Sequence, residues 1–259
     1  MTEVQIWRER ALEAAIQAAG LAGRIAKHYF ENPAPVKTKS DGTPVTKADE
    51  EAESAIIGVL KKKFPECGFL GEETGEGGQK SRRWIIDPID GTKNFIRGIP
   101  IWAVLIAFEE DGEITAGVIH NPVTGDFWTA AKNLGARHNN RPISVSRRSL
   151  EKGLLLHGGI GILKKSPYWN GFLKLVDAIE RQRGFGDYVG HTMVAMGQAE
   201  IFLDLELKPW DLAAPSIISR EAGGVFTDIQ GNETIYGGNA LVANNKEMHN
   251  KVLEILRPT

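Results

Sequence analysis

Over residues 6–30 apolar side chains recur every three or four positions. Ile6, Ala14, Leu21, Ile25 and Ala26 share one face and charges lie opposite, which predicts one long amphipathic helix. Asn32-Pro33-Ala34-Pro35 ends it, and 37–44 is a polar stretch with Asp41-Gly42 as a turn signal. A second helix is predicted over 46–64. Thr46 is its N-cap, and Asp49 three residues on makes a capping-box pattern with Asp in place of Glu. Glu50, Glu51 and Glu53 favour its first turn, and Lys61, Lys62 and Lys63 its last.

Residues 69–73 read as a short strand running into Glu72-Glu73, and 74–83 as a Gly-rich, mobile loop. Trp84-Ile85-Ile86 is a continuous apolar run, the pattern of a strand buried on both faces. Pro88 stops it, Gly91 permits a tight turn, and Lys93-Asn94-Phe95 opens a helix with no breaker until Gly98. Alternating strands follow at 102–109, 115–121 and Asp126–Ala131, joined by Asp111-Gly112 and Thr124-Gly125 turns. Asn139-Asn140 marks a further turn before Ile143-Ser144-Val145. Residues 1–146 therefore read as an α+β half, with helices laid on a largely antiparallel sheet.

From 147 to 259 the pattern changes to strands alternating with helices, an α/β half joined to the first in one compact unit. Strands are predicted at Leu154–His157, Ile201–Leu205, Val225–Thr227 and 240–243, with strand or loop at 183–187. A Gly-rich loop follows His157. Helices are predicted at 168–180, 191–197, 211–221 and Lys246–Leu256. No internal repeat or low-complexity segment interrupts them.

Composition narrows the classes. A chain of 259 residues, 42% hydrophobic and 25% charged, can bury a substantial core. A formal net charge of -2 gives no reason to expect nucleic acid as a partner. The short basic runs Lys61-Lys62-Lys63, Arg82-Arg83 and Arg147-Arg148 read as solvated surface. The single cysteine, Cys67, excludes an internal disulfide framework and a CxxC zinc site, and fits a reducing cytoplasm. No apolar run approaches a membrane span, and Glu3, Arg8, Glu9 and Arg10 precede any hydrophobic block, unlike a secretory signal.

The candidate chemistry is acidic. Asp49, Glu72-Glu73, Asp87 with Asp90, and Asp211 after Trp210 each lie where two elements meet. Taken singly, Asp49 reads as a helix cap, Glu72 and Glu73 as loop acids, and Asp211 as a partner of a helix dipole. Asp87 and Asp90 are different, because acids ending a buried strand are costly unless a cation neutralises them. The Gly91 and Thr92 amides, at a helix start, suit a phosphate. Cation and phosphate side by side is the arrangement of phosphoryl hydrolysis.

Gly71-Glu72-Glu73, Asp87-Pro88-Ile89-Asp90-Gly91-Thr92-Lys93-Asn94-Phe95 and Trp210-Asp211-Leu212-Ala213-Ala214 resemble, in order and spacing, the motifs of the inositol monophosphatase-like, magnesium-dependent phosphatases. The resemblance spans almost the whole chain. It implies a layered α-β-α-β-α sandwich, with two or three Mg²⁺ ions between the halves. Glu72, Asp87 and the Ile89 carbonyl would hold one ion, and Asp87, Asp90 and Asp211 a second. A third would lie near Glu72 and Asp49. Thr92, Asp49 and Glu72 would orient and activate the attacking water, with no phosphoenzyme. A homodimer, and sensitivity to lithium, are further implications.

Gly186-Asp187-Tyr188, the short spacing from Gly186 to Gly197 and the downstream Asp204-Leu205-Glu206 resemble the bacterial histidinol-phosphate phosphatases of that superfamily. Asp187, Asp204 and Glu206, beside the metal acids Asp90 and Asp211, are then the expected substrate-binding residues. Carboxylates suit the ammonium and imidazole of histidinol phosphate. A small-molecule phosphate monoester is the expected partner, neither nucleic acid nor membrane. Inositol 1-phosphate or a broad set of sugar phosphates are the alternative substrates, and a non-catalytic binding homologue the alternative class. For Asp187, capping of the following helix is the competing reading. His191, Trp102 and Phe127-Trp128 read as packing residues, and Lys93 and Arg97 as lying near the phosphate or merely solvated.

Overall fold

Capping and side-chain size decide how the chain begins in the computed structural model, which describes residues 2–33, 35–38 and 44–258. The Asp41-Gly42 turn lies outside the described residues. Helix α1 (Glu3–Glu31) ends at Asn32, as expected. Strands β1 (Val36–Thr38) and β2 (Pro44–Thr46) pair antiparallel and lead into α2 (Lys47–Lys63). The predicted capping box forms: Asp49 Oδ2 accepts the Thr46 amide at 2.8 Å and its hydroxyl at 2.6 Å. Only Asp49 and Glu50 fall in the first turn; Glu53 lies further along and is fully buried.

The first sheet contains β3 (Gly68–Gly71), β4 (Gly75–Gly77), β5 (Arg82–Asp90), β6 (Ala103–Glu110), β7 (Glu113–Asn121), β8 (Asp126–Ala131), β9 (Ala136–His138) and β10 (Arg141–Pro142), with the helical turn α3 (Thr92–Phe95) after β5. Its order is β10-β9-β8-β7-β6-β5-β3-β4, antiparallel throughout except β3 beside β5. Asp111-Gly112 and Asn139-Asn140 form the expected turns, each pair in the left-handed region that such tight hairpins require. Four expectations change. The Gly-rich stretch after Thr74 is not all loop, since Gly75–Gly77 folds back on β3 as an edge strand. Pro88 does not end β5. The ladder to β6 shifts between Asp87 and Asp90, and this bulge accommodates a residue without an N–H. The helix after Gly91 is one turn and does not run to Gly98. Ile143-Ser144-Val145 forms no strand and crosses to the second half, where the Val145 amide bonds to the Ala222 carbonyl.

The second half runs β11 (Leu154–His157), α4 (Ile160–Lys165), α5 (Trp169–Ala178), β12 (Arg181–Arg183), α6 (Asp187–Ala195), β13 (Ile201–Leu205), α7 (Pro209–Glu221), β14 (Val225–Thr227), β15 (Asn239–Ala243) and α8 (Lys246–Leu256). Its sheet has the order β12-β11-β13-β15-β14; β11 is parallel to β12 and β13, and β15 antiparallel to β13 and β14. The Gly-rich stretch after His157 contains α4, the strand at 183–187 lies earlier, and α6 starts at Asp187 rather than at His191.

Alternate residues of β5 explain the layering. Trp84 and Ile86 face α1 and α2 on one side, with Val104, Phe108 and Val118. Ile85 faces the other side, where α6 and α7 pack between the sheets with Leu105, Leu212, Phe202 and Val242. A third core holds α4, α5 and α8 against the far face of the second sheet. The architecture is therefore the expected α-β-α-β-α sandwich. The seam of α1 follows prediction in part: Ala14 and Ala26 are fully buried as expected, but Ile6 is 43% exposed, and Ala11, Ala18 and Ala22 complete the buried face. Small side chains let α1 lie close to the sheet, and at Gly23 a Cβ would stand 2.6 Å from the His120 ring of β7.

Candidate metal and substrate site

Strand β5 and helix α7 bring three acids together. The β5 bulge turns Asp87 and Asp90 inward, and the Ile89 amide donates to Asp87 Oδ1 at 2.9 Å. Gly91, at φ 86°, turns the chain out of the strand against the Ile101 carbonyl. Asp211 comes from the first turn of α7, where Pro209 sits at the start and the Lys208 amide donates to Asp211 Oδ2 at 2.7 Å. One carboxylate oxygen from each of Asp87, Asp90 and Asp211 falls within 4.8 Å of the others. Burial first, and then the neighbouring carboxylates, push Asp87 and Asp90 well above the usual carboxylate range. Burial raises Asp211 to about 6.

Asp49 approaches from the N-terminus of α2. The helix-cap reading holds for its Oδ2, but Oδ1 is buried without a hydrogen-bond partner, and burial raises the group to about 6. Glu72 follows β3, its amide bonded to the Ile86 carbonyl at 3.1 Å, and its charge reaches Asp49, Asp87, Asp90 and Asp211. The Thr92 hydroxyl donates to the Ile89 carbonyl at 3.0 Å. Among the described residues Thr92 and Asp49 share no hydrogen bond.

A second set of contacts joins this cluster to a cavity of about 420 Å³, lined by Ile99, Gly158, Phe185, Asp187 and Asp204 among others. Asp187 does not cap α6; Gly186 occupies that position, and Asp187 takes φ 55°. Its Oδ2 accepts from Asn94 Nδ2 at 3.0 Å, while the next amide, Tyr188 N, donates to Asp90 Oδ2 at 2.7 Å. Burial raises the Asp187 carboxyl, against the opposing effects of Asn94 and Lys93. Lys93 thus lies within electrostatic reach of Asp187, and the Arg97 guanidinium bonds back to the Lys93 carbonyl. Asp204, one residue before the end of β13, accepts the Leu205 amide at 2.8 Å and is raised by burial to about 7. A Cβ on Gly158 would overlap its carboxylate, so that position accepts only glycine. Glu206 is exposed and does not line the cavity. His191 packs between Phe202 and Phe226, and burial lowers it to about 3, so it is a neutral core residue. Trp102 and Trp128 are core as expected.

Sequence reasoning missed Asn94 and Tyr188 as partners of Asp187 and Asp90. Asn94 lay inside the quoted motif, but no spacing signal links it to a residue 93 positions away. A larger cavity of about 540 Å³, between α2 and β4, holds none of the predicted site residues.

The donors around Asp87 are all oxygen, several are buried, and Asp49 Oδ1 is orphaned. That set fits a hard divalent cation, which relieves both the repulsion and the unmet acceptor. Among the described residues no helix is long and apolar enough to cross a membrane.

Comparison with known proteins agrees with this geometry. A model of the inositol monophosphatase family matches residues 7–258. A histidinol-phosphatase of Chlorobaculum parvum is 38% identical over 240 residues, covering 92% of this chain and 93% of its own. An inositol-1-monophosphatase of Mesorhizobium japonicum is 34% identical over 258 residues, covering 96% and 97%. Among solved structures, the extragenic suppressor protein suhB from Bartonella henselae superposes with a TM-score of 0.88 at 34% identity, covering 95% and 98%.

Proposed function

The chain belongs to the inositol monophosphatase family of phosphatases, and from that premise we propose that it is a Mg²⁺-dependent histidinol-phosphate phosphatase, acting in histidine biosynthesis. The observation that carries the choice of ester is the pair Asp187 and Asp204 lining one cavity, with Asp187 next to the residue whose amide holds Asp90. A substrate with an ammonium and an imidazole gives both acids a cationic or hydrogen-bonding partner. The histidinol-phosphatase relative supports the same reading.

In this proposal Asp87, Asp90 and Asp211, with Glu72 and the Ile89 carbonyl, would hold two ions, and Asp49 with Glu72 would serve a third. Bound Mg²⁺ supplies Lewis acidity toward the phosphoryl oxygens and lowers the pKa of water. The chain's own residues do the rest. Asp49 and Thr92 orient water for in-line attack, and Asp49 Oδ1, which has no hydrogen-bond partner, is the acceptor for its proton. The Gly91 and Thr92 amides hold phosphate oxygens. Asp187 and Asp204 bind the amino-alcohol portion, and Asn94 keeps Asp187 turned toward it. The same reading includes a homodimer in the cytoplasm.

Inositol 1-phosphate or a sugar phosphate is the second reading, favoured by one observation. Asp204, raised to about 7, keeps a proton near neutral pH and so can donate to a polyol hydroxyl. Parallel phosphate-release assays with histidinol phosphate, inositol 1-phosphate and fructose 1,6-bisphosphate separate the two. Asp187→Asn is expected to raise KM for histidinol phosphate far more than for a generic phosphate ester. Equal effects on both count against the assignment, and no phosphate from any ester with Mg²⁺ present revives a binding homologue.

A further inference from the structure

Glu53 is a fully buried carboxylate without a counter-cation in contact among the described residues, one helical turn from Asp49 on α2. Its two oxygens are used by backbone. Oε2 accepts the Glu73 amide at 2.9 Å and Oε1 the Thr74 amide at 2.8 Å. The preceding amide, Glu72 N, bonds to the Ile86 carbonyl, directly before Asp87. The turn carrying Glu72 is therefore held from both sides, by β5 through its own amide and by α2 through the next two. Gly71 shows how closely the parts meet: a Cβ there would stand 2.4 Å from Glu53 Oε1 and 2.8 Å from Thr74 Oγ1.

We propose that Glu53 is the positioning residue for Glu72, locking the Glu72–Thr74 turn to α2 so that Asp49 and Glu72 are presented to the metal acids as one rigid unit. The inference rests on the metal-dependent reading above. Glu53 touches no reacting atom; it acts by fixing the backbone on which Glu72 stands. Carboxylate acceptors of paired amides are strong, charge-assisted partners, and removing one leaves two part-buried N–H groups unmet. Supports of this kind around a metal site are worth 10–100-fold in metal affinity or activity.

The test uses the full chain and Mn²⁺ as a spectroscopic probe. Glu53→Gln and Gly71→Ala are expected to weaken Mn²⁺ binding, read by electron paramagnetic resonance, by about 10–100-fold, and to raise the Mg²⁺ needed for half-maximal phosphate release by a similar factor. At saturating Mg²⁺ the KM for the ester should stay within about threefold, because the cavity around Asp187 is untouched. In Glu53→Ala the Gly71→Ala substitution should cost little more, since both break one contact. A purely structural role would lower the melting temperature and leave metal affinity within about threefold of the parent, and that result overturns the proposal. For the unaltered protein, hydrogen exchange should show the Glu73 and Thr74 amides as protected as those of central β5. Fast exchange there overturns it even if every variant fails to fold. If the unaltered protein binds no Mn²⁺, the metal reading itself falls and takes this inference with it.

Discussion

Replacing Asp204 by Asn tests the electrostatics of the cavity without touching a proposed metal ligand. The Asp204 side chain is 7% exposed, and burial raises it to about 7 from 3.8. The sign follows from proton linkage. The folded state holds this proton between pH 3.8 and about 7 while the unfolded chain has released it, so stability falls as pH rises through that window and levels off above it. From pH 5 to pH 8 about two units of the window are crossed, at about 1.4 kcal/mol each, a loss of about 3 kcal/mol. For a chain of this size that is roughly 6–12 °C in melting temperature. Asn keeps the shape and the oxygen that accepts the Leu205 amide but cannot ionise. The assay is thermal unfolding of parent and Asp204→Asn from pH 5 to pH 9, with EDTA present so that the metal acids behave alike in both. The parent should lose about 3 kcal/mol more than the variant across that range, and the variant should be the more stable protein at pH 8. Parallel curves would refute the burial argument. A variant less stable at every pH would mean that Asp204 stabilises the fold as an anion.

Thr92→Ala should lower kcat by roughly 10²–10⁴ with a small change in KM, read by steady-state phosphate release, because the hydroxyl acts on water rather than on the ester. Asp87→Asn should abolish Mg²⁺-dependent turnover yet raise the metal-free melting temperature, since it removes a buried charge set against Asp90 and Asp211. Gly117→Ala should cost about 1–3 kcal/mol by denaturant unfolding, because the added Cβ would stand 2.5 Å from Ile217 Cγ2 in the packed layer between the sheets. Cys67, which burial pushes up to about 11, should resist thiol reagents in the native protein and react only on unfolding.

The acids of the site were legible because they break a rule: two carboxylates at the end of a doubly buried strand have no cheap explanation except a cation. The capping box at Thr46 was legible for the opposite reason, being a local pattern whose partners lie three residues apart. What stayed hidden depends on distant contacts. Nothing in the composition of 187–191 announces that Asp187 takes a left-handed backbone and a bond to Asn94, so the start of α6 was placed four residues late. Glu53 read as one more helix acid, because the amides it accepts lie 20 and 21 residues away. Ala14 and Ala26 mark the seam of α1 in the sequence, but Ala11, Ala18 and Ala22 do not stand out, because alanine counts for little in a hydrophobic pattern although it is what a close helix–sheet approach selects.

The layer between the sheets ties the acidic cluster to the cavity around Asp187. Helices α6 and α7 share one core, and each delivers its first turn to the same place: Asp187 and the Tyr188 amide from α6, Asp211 from α7. Tyr188 also accepts from Asn121 at the end of β7 through its hydroxyl, so the α6 start is fixed to the first sheet at two points. Moving Asp187 to suit a different ester would drag the amide that holds Asp90, and with it a metal ligand. Under the proposed function, a change of substrate would therefore be easiest at Asp204 on β13, which no described hydrogen bond ties to Asp87 or Asp90. Under the proposed function the second sheet would set which alcohol leaves, while the first sheet and the shared helices would hold the parts common to every phosphate monoester.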